Sequence, residues 1–353
     1  MSVPNAIFID TSILDEQNYN YSSEVTRAFL EVAKRQKVIL LLPDPTRREI
    51  KRHIEERSQE VIKALEQAKR KAPFLKKWKA WPVMVRRGYP RLDYELRKIA
   101  NDEWNNFLKH FKVVDLDYDG VVLKEVMNWY DDQRAPFGPR GKRKEFPDAL
   151  ALAALLGYIK IKEVSVAVVS KDKDFERACT FYSELLYFPS LPALTEALLS
   201  ADTRVAQVKE IIERNSTFIM KKIEEEFPGL GFYHEAGEAD IEDIEVEEVK
   251  IDQVKVIHIG GNEVVTAFEA TVNYSAYVRM DDHSTASIDS SENFYMVLQE
   301  YRGTVYDYTA ISGITKCSVS SDWKTIKEVI TFEIHEDDIS VEEIPDESHW
   351  IGD

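Results

Sequence analysis

The stretch EFPDALALAALLGYIKIKEVSVAVVSKDKDF, residues 145–175, decides the fold. Pro147 suits the first turn of a helix, and the residues after it are rich in Ala and Leu, which favour helix. VSVAVVS, at residues 164–170, is a short and continuous apolar run, which predicts a parallel strand covered on both faces. A second helix is predicted after it, from KDKDF onward. The order helix, buried strand, helix is the repeating unit of an α/β fold.

The same alternation continues toward the N-terminus. Short apolar runs predict three more strands, at residues 5–10, 38–42 and 113–116. Segments between them predict helices at residues 22–36, 44–72 and 120–131. Together these elements predict a doubly wound α/β domain with a parallel sheet. Ligands of such sheets bind at the carboxyl ends of the strands.

The sequence pattern changes after Asp202. Residues 204–226 predict one amphipathic connecting helix, and alternating apolar and polar residues dominate from about residue 241, which predicts strands. Gly260-Gly261-Asn262 is a hairpin turn signal. We therefore predict an α/β domain over 1–203, a connecting helix and linker over 204–240, and an acidic, mostly antiparallel β domain over 241–353.

Charge is distributed unevenly over the chain, whose net charge is −17. Residues 1–200 carry 34 Lys/Arg against 29 Asp/Glu, whereas residues 201–353 carry 12 against 34. A nucleic acid is expected to meet the first part and to be repelled by the second. We expect the acidic β domain to bind a protein partner or a second copy of the chain, because sheet edges need covering. A self-contained sandwich that only stabilises the first domain is the alternative.

Composition excludes several classes of protein. Apolar residues make up 44% of the chain, too many for a largely disordered protein. No apolar run reaches the 18 or so residues that span a membrane, and the start MSVPNAIFIDTS lacks the basic region of a signal peptide. Cys179 and Cys317 lie far apart, so neither a disulfide framework nor a zinc site is expected. A cytoplasmic protein is the simplest expectation.

Four carboxylates stand at predicted strand ends or helix starts. Asp10 ends the first strand, Glu49 lies early in the helix after the second, Asp148 opens the Pro147 helix, and Asp172 follows the strand at 164–170. Because strand ends of a parallel sheet meet at one edge, we expect these acids to converge. Crowded carboxylates raise one another's pKa unless a cation lies between them, and oxygen ligands suit Mg²⁺ or Mn²⁺. Any one of the four could instead cap a helix; the ordered set is harder to explain that way.

Taken together, these motifs resemble the PIN-domain nucleases, in a bacterial branch of uncharacterised or toxin-like proteins. IFIDTS, the acid in PDPTRREI, EFPDALALAALLGY and SKDKDF match in order over about residues 5–190. The segment between the second and third motifs is longer than usual, which indicates an insertion. The resemblance implies a PIN-like fold and metal-dependent hydrolysis of a phosphodiester, usually in RNA.

The resemblance also implies roles for individual residues. Asp10, Asp148 and Asp172 would hold Mg²⁺ or Mn²⁺, and Glu49 would complete the acidic cluster. The metal ligands next in line are Glu145 and Asp174. A solvated charge in a basic loop is the alternative for Glu145. Thr11 and Ser12 would hold a ligand carboxylate or the scissile phosphate, or else cap the turn that follows.

Basic residues accompany this cluster. Residues 47–98 contain 17 Lys/Arg against 7 Asp/Glu, with Phe74, Trp78, Trp81 and Tyr89 among them. Cations mixed with aromatics are typical of RNA-binding surfaces, although a solvated helix face with a docked loop is the alternative. A second basic cluster comes just before Asp148. The predicted RNA-binding residues are Arg47, Arg48, Lys76, Lys77, Lys79, Arg86, Arg87, Arg140, Lys142, Arg143 and Lys144.

The favoured function is therefore a divalent-metal-dependent endoribonuclease, as a toxin or phage-defence effector acting on tRNA or another structured RNA. The alternative is a non-catalytic PIN-like module that binds RNA or serves as a scaffold. The presence of all four acids favours the enzyme. A phosphatase of the haloacid-dehalogenase type is disfavoured, because that chemistry needs a second Asp where Ser12 stands. The seven histidines show no spacing typical of paired metal ligands, so we expect them to be ordinary surface or core residues.

Overall fold

A computed structural model describes residues 4–72, 74, 77, 92–138, 145–235, 237, 239–282, 287–289, 294–296, 299–345 and 348–350. The chain divides into two compact units, Met1–Leu198 and Leu199–Asp353. Within the described ranges, no helix combines the length and the apolar character needed to cross a membrane.

The first unit is built on one five-stranded sheet in which every strand pairing is parallel. The strand order is β3-β2-β1-β4-β5, so the central strand is the first in sequence and its two neighbours come from distant parts of the chain. The strands are β1 (Ala6–Ile9), β2 (Ile39–Pro43), β3 (Lys112–Leu116), β4 (Val166–Val169) and β5 (Leu185–Phe188).

Helices connect these strands, as parallel pairing requires. They are α1 (Thr11–Glu16), α2 (Glu24–Gln36), α3 (Asp44–Lys71), α4 (Leu92–Leu108), α5 (Leu123–Asp131), α6 (Phe146–Lys162), α7 (Lys173–Cys179) and α8 (Leu191–Leu199). The α/β fold predicted from the sequence is thus confirmed. The elements that the sequence pattern did not predict are α1, α4, β5 and α8.

Helix α6 forms the centre of the core on one side of the sheet. Ala149, Leu152 and Leu155 are fully buried, and they pack in one cluster with Phe8 of β1 and Val168 of β4. Replacing a buried leucine of this kind with Ala typically costs about 2–5 kcal/mol. The burial of α6 fixes the position of its first turn, which carries Asp148.

Among the described residues, the second unit contains α9 (Arg204–Arg214), α10 (Thr217–Glu226) and nine strands. The strands are β6 (Gly231–His234), β7 (Ala239–Gly260), β8 (Glu263–Asp281), β9 (Ser287–Asp289), β10 (Phe294–Met296), β11 (Gln299–Val319), β12 (Ile326–Ile334), β13 (Asp338–Val341) and β14 (Ser348–Trp350). The main sheet has the order β12-β11-β8-β7, with β14 paired to β11, and all of these pairings are antiparallel. The second part of the chain is therefore a separate and largely antiparallel β unit, as predicted.

Residues 204–226 form two helices rather than the single connecting helix predicted from their periodicity. The first of these helices ends before Asn215, whose side-chain amide donates to the carbonyl oxygen of Ile211 at 2.7 Å. Val208 of α9 and Ile219 of α10 are buried in the cluster that also contains Val272 of β8. Both helices therefore contribute to the core of the second unit.

Strands β7 and β8 form a long hairpin around Gly261, which has the positive φ of +58° that a tight turn requires. The register of their pairing shifts at four places along β7. Such shifts, typical of β-bulges, explain why the apolar residues of β7 change parity along the sequence.

Candidate active site

Asp10 lies where β1 ends, at the carboxyl edge of the sheet. It is the N-cap of α1, and only 6% of the residue is exposed. Its Oδ2 accepts hydrogen bonds from the Ser12 hydroxyl and, at 2.8 Å, from the Ser170 hydroxyl. Burial raises the pKa of Asp10, and the hydrogen bonds from Ser12 and Ser170 oppose that shift. A buried carboxyl of this kind carries a charge at a cost that a nearby cation would offset.

Ser170 ties the ends of two neighbouring strands together. It follows β4, is fully buried, and besides donating to Asp10 its Oγ accepts from the backbone N–H of Asp172 at 2.9 Å. Asp172 in turn is the N-cap of α7, and its Oδ1 accepts from the backbone N–H of Asp174 at 2.6 Å. Asp172 therefore does cap a helix, yet it stands at the same edge of the sheet as Asp10.

Glu49 reaches this edge from the second turn of α3. Its Oε2 accepts a hydrogen bond from the Thr11 hydroxyl at 3.2 Å, and its Oε1 lies 3.2 Å from Nη2 of Arg52. His53, one turn further along α3, places Nε2 3.9 Å from Glu49 Oε1 and Nδ1 3.0 Å from Asp15 Oδ2. Thr11 and Ser12 thus each hold one carboxylate of the cluster.

Asp148 stands in the first turn of α6 and is the electrostatic centre of the site. Burial raises its pKa from 3.8 to about 8, and repulsion by Asp10, Glu49, Asp172 and Glu145 adds to the shift. Those four carboxylates therefore all lie near Asp148. The fold has brought together the four acids singled out in the sequence, with Glu145 as a fifth.

Glu145 and Asp174 differ in their surroundings. Glu145 precedes α6 directly, is 6% exposed, and is one of the charges that act on Asp148. Asp174 is 8% exposed and forms an ion pair with Arg177, one turn along α7. Glu145 therefore belongs to the cluster, because its charge helps to raise the pKa of Asp148, whereas the charge of Asp174 is paired with Arg177.

The chemistry of these donors fits a hard divalent cation. All are carboxylates or hydroxyls, and a divalent cation among them would offset the burial and the mutual repulsion that raise the pKa of Asp148. Within the described ranges, however, no three Asp, Glu, His or Cys side chains are grouped closely enough to form a ready metal site. Repelling carboxylates separate when no cation lies between them. The assignment of Asp10, Asp148 and Asp172 as metal ligands stays a prediction.

The predicted RNA-binding residues fall into two groups. Arg47 forms an ion pair with Asp115, and Arg48 places Nε 2.6 Å from Asp44 Oδ2. Lys77 is exposed. The other eight lie outside the described residues: Lys76, Lys79, Arg86, Arg87, Arg140, Lys142, Arg143 and Lys144.

Sequence reasoning missed three residues at this edge. Ser170 gives no pattern beyond its place after the strand VAVV and before Asp172. The sequence does not single out His53, because no second histidine lies at the spacing typical of metal ligands. His53 nevertheless lies one helical turn after Glu49. Tyr187, on β5, donates from its hydroxyl to the carbonyl oxygen of Ser170 at 2.7 Å; burial raises the pKa of Tyr187, and nearby acids, Asp172 and Asp10 among them, add to the shift.

A parallel α/β unit with buried and partly buried carboxylates at its carboxyl edge can hold a divalent cation for metal-assisted hydrolysis. The family model described as PIN domain matches residues 7–175, which contain Asp10, Glu49, Asp148 and Asp172. This match supports a PIN-domain family for the first unit, and PIN domains are generally metal-dependent nucleases. Neither the curated proteins nor the solved structures include a match to the chain.

Proposed function

We propose that the first unit is a divalent-metal-dependent endoribonuclease. The observation that carries this proposal is the gathering of Asp10, Glu49, Asp172 and Glu145 around Asp148: burial raises the pKa of Asp148 to about 8, and repulsion by these four carboxylates adds to the shift. Acids that repel one another destabilise the folded protein. A cation bound among them relieves the repulsion, which favours binding of the cation. A purely structural role gives no reason to gather so many acids.

Asp10, Asp148 and Asp172 would hold the metal. Mg²⁺ or Mn²⁺ bound there would supply a water activated for attack and would stabilise the charge that develops on the phosphate. Ser12 and Ser170 orient Asp10 through their hydroxyls, and Thr11 orients Glu49. Such hydrogen bonds hold ligand carboxylates in one geometry before the metal arrives.

Incubation of the purified chain with total RNA and Mn²⁺ tests this proposal. We expect cleavage by the unaltered chain that EDTA stops, and none by Asp10→Asn. Circular dichroism and thermal unfolding would show that this variant is folded. Equal cleavage by both proteins would mean that the nuclease is a contaminant or that the site lies elsewhere.

The non-catalytic alternative makes a different prediction. A module that only binds RNA would retain its affinity in the Asp10→Asn variant and would cleave nothing in either form. RNA as the substrate is favoured by the resemblance, and the same assay run with DNA decides between the two. The role of toxin or phage-defence effector, on tRNA or another structured RNA, stays a prediction.

We further propose that the acidic second unit binds a basic protein partner. Tyr306 and Tyr308 of β11 are each 71% exposed and point to the same face of the sheet. Opposite them on β8, Ser275 donates to Glu247 and Asn273 donates to Glu248, at 3.0 and 3.2 Å. Exposed tyrosines beside glutamates suit a surface that carries Lys and Arg, and this face repels phosphates.

Purification of partners from the source cells at low salt tests the second proposal. The full chain should retain a protein whose contact surface is basic, and Tyr306→Ser combined with Tyr308→Ser should lose it. High salt should have the same effect as the double substitution. Recovery of the same proteins by both forms would favour a self-contained sandwich.

A further inference from the structure

A pocket of about 240 Å³ opens beside Glu49 in the first unit. Its apolar walls are Pro45 at the start of α3, Tyr118 in the loop after β3, and Pro147 and Leu150 in the first turns of α6. The pocket therefore lies between α3 and α6, which carry Glu49 in the second turn and Asp148 in the first. Pro147 is the residue directly before Asp148.

Two guanidinium groups lie at the rim of this pocket. Arg48 and Arg52 of α3 both line it, and their side chains are 73% and 60% exposed. Each already has a carboxylate neighbour, Asp44 for Arg48 and Glu49 for Arg52. Their exposed N–H groups still face solvent, where a phosphate can approach them.

The ring of Tyr118 lines the pocket but is not buried. Tyr118 is 41% exposed, and the Asp44 carboxylate beside its hydroxyl also receives Arg48 Nε at 2.6 Å. A partly exposed aromatic ring that lines an apolar pocket is a platform for stacking.

We infer that this pocket takes the base of one nucleotide of the substrate, next to the phosphate that is cut. This inference rests on the proposed function, since Glu49 is shared by the pocket and the acidic cluster. The volume is below the roughly 300–1,000 Å³ of pockets for drug-sized ligands, which suits a fragment the size of a base. The base stacks on Tyr118 and packs against Pro147 and Leu150, while Arg48 and Arg52 meet the flanking phosphates.

Two consequences follow for the substrate. A base inside a duplex is stacked and paired, so the nucleotide that enters this pocket is unpaired or flipped out of its helix. Stacking on an aromatic ring tolerates any base, because every base has a π face. The pocket therefore selects for an accessible nucleotide at the cleavage position more than for a particular sequence.

Binding measured in EDTA tests this inference without requiring catalysis. A fluorescent single-stranded RNA oligonucleotide is compared with an oligonucleotide of the same length and charge that has abasic sites throughout. The full chain should bind the abasic form about tenfold more weakly, which is about the value of one stacked base. Tyr118→Ala should weaken binding of the normal oligonucleotide by a similar factor and leave binding of the abasic form unchanged.

Two further variants make the test specific. Tyr118→Phe keeps the ring and should retain most of the affinity. Phe181→Ala removes an aromatic residue that is 54% exposed but does not line the pocket, and it should have no effect. The inference is overturned if Tyr118→Ala binds like the unaltered chain, if Tyr118→Phe is as weak as Tyr118→Ala, or if neither oligonucleotide binds. Base-dependent binding through Tyr118 without RNA cleavage would refute the nuclease proposal alone.

Discussion

Asp148 in the first unit and Asp252 in the second are both aspartates, but their pKa values are displaced in opposite directions. Burial and four neighbouring carboxylates raise the pKa of Asp148 to about 8. Hydrogen bonds from Thr271 and Lys250 lower the pKa of Asp252, which lies at the surface. The pKa of Asp322 in the second unit is also lowered, chiefly by a hydrogen bond from the Ser320 hydroxyl.

This contrast shows that the number of acids does not identify a site. The second part of the chain has more Asp and Glu than the first, but its alternating strands place most of them in water, where each charge is solvated. The parallel sheet of the first unit brings a few acids to one edge, where Asp10 and Glu145 are buried and Glu49, Asp148 and Asp172 are partly buried. Surroundings that oppose ionisation are typical of functional sites.

The largest expected effect comes from removing one acid of the cluster. Asp148→Asn should reduce the rate of RNA cleavage by about 100-fold or more, because a bound metal contributes several kcal/mol to the transition state. Asp252→Asn is the matched control and should cleave at the unaltered rate. Initial rates with Mn²⁺ in excess measure both. If Asp148→Asn and Asp252→Asn cleave RNA at the same rate, the raised pKa of Asp148 does not mark the active site.

A smaller effect is expected from the hydroxyl that orients Asp10. Ser170→Ala removes one hydrogen bond to the carboxylate, and loss of such a support typically costs about 10- to 100-fold in metal affinity or activity. Ser22→Ala, at an exposed position, is the control. If the Mn²⁺ concentration that gives half-maximal cleavage is the same in Ser170→Ala as in the unaltered chain, Ser170 only supports the fold.

The third prediction concerns the charge of the first part of the chain. Reversal of Lys76, Lys77 and Lys79 to Glu should weaken RNA binding and reduce its dependence on salt. Each lost contact with a single-stranded phosphate lowers the slope of log affinity against log salt by about 0.7. Reversal of Lys250, Lys324 and Lys327 in the second unit should leave that slope unchanged. An unchanged slope after the first reversal would indicate a solvated segment without contact to RNA.

The smallest effect is a dependence of stability on pH in the absence of metal. An acid with a raised pKa keeps its proton more tightly in the folded protein, so its contribution to stability is complete below about pH 4 and is lost as the pH rises to about 8. In EDTA, the Tm of the unaltered chain should fall relative to that of Asp148→Asn across this window. Each 1 kcal/mol of stability lost in this way should lower the Tm by about 2–4 °C for a unit of this size. If the Tm of the unaltered chain and that of Asp148→Asn change equally with pH, Asp148 does not lie in a cluster of repelling carboxylates.

Much of the first unit could be predicted because its signals are local. Buried strands appear as short apolar runs, and an acid after such a run is placed at the carboxyl edge by topology alone. On this reasoning Asp10, Glu49, Asp148 and Asp172 are expected at one edge of the sheet from the sequence alone. Whether they bind a metal stays a prediction.

Other features depend on contacts between distant residues. Helix α4 lies in a segment whose length indicates an insertion, yet its Phe107 packs on Tyr21, with ring centroids 5.0 Å apart. Ser170 acquires a role only when β4 lies beside β1. Residues 204–226 keep helical periodicity throughout, and the side-chain hydrogen bond of Asn215 that accompanies the break leaves no trace in that pattern.

A titration of the full chain with Mn²⁺, followed by electron paramagnetic resonance at pH 8, tests the central claim most directly. The unaltered chain and Asp252→Asn should each bind Mn²⁺ tightly at one site, and Asp10→Asn and Asp148→Asn should lose that binding. At pH 6 the affinity should be lower, because Asp148 must release its proton before it can act as a ligand. Tight binding that survives in both Asp10→Asn and Asp148→Asn, or that is lost in Asp252→Asn, would contradict a metal site at the edge of the parallel sheet.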